Sequence, residues 1–362
     1  MISKIQTNIF KGISIIMIVL HNYLHLLPPK LGENEMTFKN GLFNQYIEYL
    51  SHNPNEFMAV FFSYFGHYGV PVFIILSVYG MTISSLKKNE SYAFFVQYRL
   101  SKIYLPFVIV VVLYLLLGYA KSIIQQTPDL LWHQHPADEL LSVFYKLLLI
   151  SNFIPGQALL PVGPWWFLSF IVQLYVIFPF ILKFYNRFGN LFLIVLAVIG
   201  IFLQTYAWSQ FFEVNIKFTT LGHLPSISLG MYLSKQSHIS AKVFIASVIV
   251  FIAGNFFYPA WILSDITFSI IFFYVFLKLF SCKISLSRFE KIIEFIGKFS
   301  LYIFLLNGFI RLLVYSISNE LNSLNIHIND SIYAFFCLAI CLALACALTS
   351  TENYLRRRKS SN

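Results

Sequence analysis

The sequence predicts an all-α fold, a polytopic membrane helix bundle of about ten transmembrane helices with both termini in the cytoplasm. Three observations carry this. The composition is 58% hydrophobic and only 11% charged, against about 45–50% and about 25% in soluble domains. The apolar residues gather into runs of roughly 20, enough to cross about 30 Å of hydrocarbon. The basic residues fall between those runs on alternating sides, as the positive-inside rule requires. A net charge of +10 would otherwise point to nucleic acid, but no basic surface motif supports that partner, and the placement of Lys and Arg accounts for the charge. The length suits one membrane domain over residues 1–362.

Taken in order, the first run, 9–27, follows Lys4 and Lys11 and ends at Pro28 and Pro29. No small-residue cleavage site follows, so it reads as a retained helix and not a signal peptide. The second, 64–86, closes on Lys87 and Lys88; the third, 103–121, opens after Arg99 and Lys102. Segment 140–154 is apolar but short for a span, and reads as interfacial or re-entrant. The fourth run, 165–185, begins at Trp165 and Trp166 and ends near Lys183 and Arg187. Runs 190–208, 218–234 and 241–258 follow, with Lys235 and Lys242 in one inner loop. Run 262–281 carries Asp265 at its outer end, 293–316 carries Asn307 and Arg311, and 332–350 precedes the basic tail from Arg356 to Lys359.

This count places 19 of the 25 basic residues on the inner side, leaving Lys30, Lys39, Lys121, Lys146, Lys217 and Arg311 outside. The two long loops, 28–63 and 122–164, are then external and hold most of the acidic residues, including Glu33, Glu35, Glu56, Asp129 and Glu139. Such loops either shape a binding site or merely connect. Cys337, Cys341 and Cys346 share one apolar run and Cys282 ends another, which reads as packing and not as a disulfide or metal framework.

The chemistry gathers around the first run. His21 and His25 are four apart, on one helix face, at membrane depth. An ionisable group there is costly and is a functional-site hypothesis by default. From Phe10, the helix rises about 16 Å to His21, past the midplane toward the outer side. His67, His223, Asp265, Asn307 and Arg311 lie at similar or shallower levels. Two histidines so spaced can hold a metal, but no Glu-x-x-His or Cys partner adds ligands, so no metal is assigned. His133 and His135 read as loop surface.

The segment from Lys11-Gly12 through the apolar run to His21 resembles the opening of the acyltransferase 3 family, the multi-span bacterial O-acyltransferases. Val70-Pro71 through Ser77 is similar to the family's second-span pattern, Tyr98-Arg99 through Pro106 to its basic pair and Pro, and Trp165 through Tyr175 to its Trp, aromatic and Tyr segment before Pro179. Ser300 through Asn307 resembles a late span that often ends in His. The likeness covers residues 9–350. The chain departs from the pattern at four points. Lys11 stands for the usual Arg, Val78 for a Gly and Asn307 for a His, and nine residues instead of ten separate Lys11 from His21, leaving Asn22 at the usual position.

The resemblance implies transfer of an acyl group, most often acetyl, from cytoplasmic acyl-CoA to a hydroxyl of an envelope glycan or lipid-linked sugar, in the inner membrane. Acyl-CoA is then a co-substrate and no cofactor is bound. His21 is expected to be the general base, with Asn22, His25 or Asn307 orienting it or contacting the oxyanion; a relay through an acyl-histidine also fits. Lys11, Arg99 and Lys102 would meet CoA phosphates or simply anchor the topology. Ser77, Trp165, Asn307 and Arg311 complete the expected binding residues, the tryptophan alternatively belonging to an interfacial belt. A transporter or flippase of an envelope precursor is the competing class, for which paired broken helices in internal repeats are expected; the Gly and Pro interruptions of the two halves do not correspond. A scaffold without activity is the third. Loss of acyl-CoA turnover in His21→Ala would separate the enzyme from both.

Overall fold

The computed structural model describes residues 2–25, 34–87, 91–126, 132, 135–205, 213–236, 238–281 and 287–360. His133, Cys282, Lys30 and Glu33 lie outside the described residues. Among the described residues 84% are helical and none forms a strand. Fourteen helices of more than one turn are named here in chain order. They are α1 (Lys4–Leu24), α2 (Leu42–His52), α3 (Phe57–Phe65), α4 (Gly69–Lys87), α5 (Tyr92–Ile124), α6 (Pro136–Leu147) and α7 (Trp166–Phe188). Then follow α8 (Asn190–Thr205), α9 (Leu224–Lys235), α10 (Ala241–Ala253), α11 (Ser264–Ser281), α12 (Ser287–Lys298), α13 (Ser300–Ser323) and α14 (Asp330–Ser360).

Among the described residues, seven stretches are long and apolar enough to span a membrane: Lys4–Leu24, Pro54–Leu86, Tyr92–Ile124, Gly163–Phe188, Ser264–Ser281, Ser300–Ser323 and Asp330–Glu352. The other three expected spans coincide with α8, α9 and α10, of 16, 12 and 13 residues. At 1.5 Å per residue these rise only about 18–24 Å, short of the bilayer core. Local chemistry sets the lengths of α9 and α10. Pro225 opens α9 where its missing N–H costs nothing, and Gly254 caps α10. The 293–316 run is divided, because the chain turns at Phe299 between amphipathic α12 and apolar α13.

The hub is α1, which packs against α3, α4, α12, α13 and α14. Its start is fixed by a reciprocal cap: Ser3 Oγ accepts from the Gln6 N–H and Gln6 Oε1 from the Ser3 N–H. Gly12 and Gly297 face each other's helices so closely that a Cβ on either would run into the opposing backbone. In α1 67% of the apolar window is buried, against 33% in α5 and α14. Polar residues on α1 therefore face protein, whereas α5 and α14 turn broad apolar faces outward, as lipid-facing helices do.

Helix α6 covers the start of the short apolar segment 140–154, and its polarity is inverted. Leu140, Leu141 and Phe144 are exposed, while Glu139 and Lys146 are each 1% exposed. Lys146 Nζ donates to the Ala158 carbonyl at 2.5 Å, and the Tyr114 hydroxyl donates to Glu139.

Candidate functional site

His21 sits one turn from the end of α1, 3% exposed. Its Nδ1 lies 3.2 Å from the Phe62 carbonyl oxygen. A carbonyl only accepts, so Nδ1 carries a proton, and whenever the ring is neutral the lone pair is on Nε2. The contact is possible because Gly66 follows α3: a Cβ there would sit 2.6 Å from the His21 Cβ and from the Met17 carbonyl. His25 repeats the arrangement, its Nδ1 2.8 Å from the His21 carbonyl. The two rings stack with centroids 4.8 Å apart, and His67 stands edge-on to His21 at 5.4 Å.

Opposite His21 Nε2 lies Glu35, with Oε2 at 3.8 Å. That is beyond hydrogen-bond reach but leaves a place where one hydroxyl could meet both groups. The short run that delivers Glu35 is stapled from several sides. The Trp261 indole N–H donates to the Asn34 carbonyl at 2.6 Å, Lys217 Nζ to the Glu35 carbonyl at 2.7 Å and Asn34 Nδ2 to the Tyr64 hydroxyl at 3.1 Å. Lys217 is also 3.9 Å from Asp265 and 4.0 Å above the Trp261 ring.

These groups line a chamber of about 270 Å³ with His21, Asn22, His25, Glu35, His67, Trp166 and Arg311 on its wall. A second cavity, of about 200 Å³, is lined by Lys11, Ser77, Tyr175 and Ser300. Ile18, Val70, Phe167 and Phe304 border both. On α1, Lys11, Ile18 and His21 thus run from one cavity, past a shared apolar wall, into the other.

The expected site residues separate into groups. His21, Asn22, His25 and Arg311 come together in the chamber. Asn307 is fully buried just behind it, accepting from Asn22 Nδ2 at 2.7 Å and donating to its own helix at the Phe304 carbonyl. Arg311 Nη1 donates to the Asn22 carbonyl at 2.6 Å, so α13 grips α1 at this residue twice. Lys11 and Ser77 line the second cavity. Arg99 stands beside it: it donates to Ser84 Oγ at 2.6 Å, lies over Phe95, and its charge reaches Tyr175.

Two expectations are corrected. Trp165 lies in the core, where its indole N–H donates to the Leu305 carbonyl at 2.9 Å and its ring meets Phe107, Tyr114 and Phe309; Trp166, one residue on, lines the chamber. Successive helical residues point about 100° apart, so only the register of α7 decides between them. Lys102 is exposed over the Tyr98 ring and lines neither cavity. Glu35, His67 and the Leu159–Pro164 stretch are wall residues that sequence reasoning had not assigned to the site. Glu35 carried no signal beyond being acidic in an external loop.

The fold and site are those of an apolar helix bundle in which a histidine-lined chamber shares a wall with a second cavity along one helix. A family model described as an acyltransferase domain matches residues 5–350, and the chain belongs to that family, acyltransferase 3: it is a membrane acyltransferase. No curated protein and no solved structure matches it.

Proposed function

We propose that the protein is an O-acetyltransferase of the bacterial inner membrane, moving an acetyl group from cytoplasmic acetyl-CoA to a hydroxyl of an envelope carbohydrate. The observation that carries the reading is the setting of His21. Its Nδ1 is engaged by the Phe62 carbonyl, which turns a basic Nε2 toward Glu35 in a chamber that adjoins a second cavity. In this reading the pantetheine arm occupies the Lys11 and Ser77 cavity, with the nucleotide phosphates left outside near Arg99. The thioester carbonyl passes the Ile18, Val70, Phe167 and Phe304 wall into the chamber.

The acceptor hydroxyl then attacks the thioester carbon while Nε2 takes its proton; the carbon–sulfur bond breaks and the proton leaves with the thiolate. Glu35 would orient the hydroxyl and stabilise the imidazolium. Asn22 Nδ2 has two hydrogens, one of them given to Asn307, and its second, with Arg311, would face the oxyanion. His25, stacked on His21, holds the ring in place. The membrane is crossed by about ten helical segments, α8 to α10 acting as short ones, with both termini cytoplasmic.

The test is mass spectrometry of envelope glycans from cells carrying the wild-type protein, His21→Ala, Asn22→Ala or His25→Ala at matched expression. An acetyl-sized mass increment that needs His21 is the expected result. Identical glycans from all four proteins would sink the proposal.

A further inference from the structure

A cavity larger than the histidine chamber, about 390 Å³, lies beyond the Asn34–Phe38 run, between Leu203–Thr205, Asn215–Lys217 and the Tyr258–Trp261 turn. It adjoins the chamber directly, since Met36 lines both. Its volume falls within the roughly 300–1,000 Å³ of small-molecule sites.

The lining is selective in kind. Tyr258 and Trp261 stack with centroids 5.9 Å apart and planes 27° from parallel, and Phe38 stands 6.0 Å from each ring. Around this aromatic platform the polar groups are neutral: Thr37, Gln204 and Asn215. Gln204 is half engaged. Its Nε2 donates to the Gly222 carbonyl at 2.6 Å, while its Oε1 is buried with no donor among the described residues. The cation on the wall, Lys217, is already countered by Asp265 and covered by Trp261, so an anionic ligand gains little here.

We propose that this cavity is a carbohydrate subsite, holding a neutral sugar ring of the acceptor next to the ring acylated in the chamber. The apolar C–H face of a pyranose suits the electron-rich face of an aromatic ring, and its hydroxyls suit the neutral polar lining, which includes Thr37 and Thr205. The assignment rests on the acyl-transfer reading above and extends it: the acceptor has at least two linked sugars, and a disaccharide binds better than either of its halves.

The experiment is saturation-transfer difference NMR on the full-length protein in lipid nanodiscs. The probes are maltose, cellobiose and chitobiose, with glucose and N-acetylglucosamine as the matching monosaccharides. Tyr258 is 41% exposed, so truncating it empties no core. The expected result is saturation of at least one disaccharide, weakened about tenfold or more by Tyr258→Ala and by Phe38→Ala. No disaccharide binding to the wild type, or binding that survives both aromatic substitutions, overturns the subsite. Acetyl-CoA hydrolysis measured on the same nanodiscs keeps the two readings apart. Thioester turnover without disaccharide binding removes the subsite alone, and disaccharide binding without turnover supports the subsite while removing the transferase chemistry.

Discussion

Helices α1 and α6 both bury ionisable side chains, and the contrast between them shows when such burial marks a site. On α6, Glu139 and Lys146 are turned inward because the opposite face is apolar and exposed, and each has a direct partner, the Tyr114 hydroxyl and the Ala158 carbonyl. Neither lines the cavities described above. Burial pushes the Glu139 carboxyl up to about 7 and the Lys146 amine down to about 7. On α1, His21 and His25 have their Nδ1 atoms engaged by carbonyls, and both rings face a chamber that also holds Glu35 and Arg311. Empty volume and a second polar group distinguish a place for chemistry from a place where polarity is merely hidden.

The sharpest way to break this comparison is to remove one group from each helix and follow acetyl-CoA consumption by the purified protein. Loss of a general base costs typically 10²–10⁴-fold, so His21→Ala is expected to lower turnover at least about 100-fold, with the melting temperature within a few degrees of wild type. Lys146→Met is expected to leave turnover unchanged. An equal loss from both substitutions would mean that α6 belongs to the catalytic machinery.

A second expectation concerns stability against pH, where α6 dominates. The raised Glu139 pKa contributes stability that is fully present below its ordinary value of 4.5 and is lost as pH rises through about 7. The lowered Lys146 pKa contributes stability that is fully present above 10.5 and is lost as pH falls through about 7. The two limbs meet, so this pair gives a stability minimum near neutral pH, a few degrees deep in melting temperature. Glu139→Gln should abolish the acidic limb and Lys146→Met the alkaline one. A monotonic melting profile for the wild type, unchanged by either substitution, would show that neither group is held in the state its burial implies.

The same contrast explains what could be read from the chain. His21, His25 and Arg311 were legible because helical periodicity and depth are properties of the run itself, and Lys11, Ser77 and Asn22 through the family resemblance; the structure places all six on a cavity wall. Glu35 was not, since its position depends on staples from Trp261 and Lys217, more than 180 residues away. Trp165 and Trp166 are separated only by the register of α7, which packing against Leu305 and Phe107 decides. Helix ends were less legible than apolar runs: Pro225 and Gly254 start or stop a helix inside such a run, because hydropathy measures apolar length and not helix length.

The smallest expected effect tests whether the link between α13 and α1 serves the site or only the fold. Asn307 touches the chamber through Asn22, as a positioning residue, by the 2.7 Å bond it accepts. Asn307→Ala should lower turnover about three- to tenfold while leaving the KM for acetyl-CoA unchanged, because the second cavity, proposed above for the donor, is lined by other residues. The decisive variant is the double substitution with Asn22→Ala. If Asn307 acts by orienting Asn22, the double variant turns over no more slowly than Asn22→Ala alone, since the group being oriented is already gone. If the two losses multiply, Asn307 supports the chamber independently, and the second grip on Asn22, from Arg311, is the one that positions it.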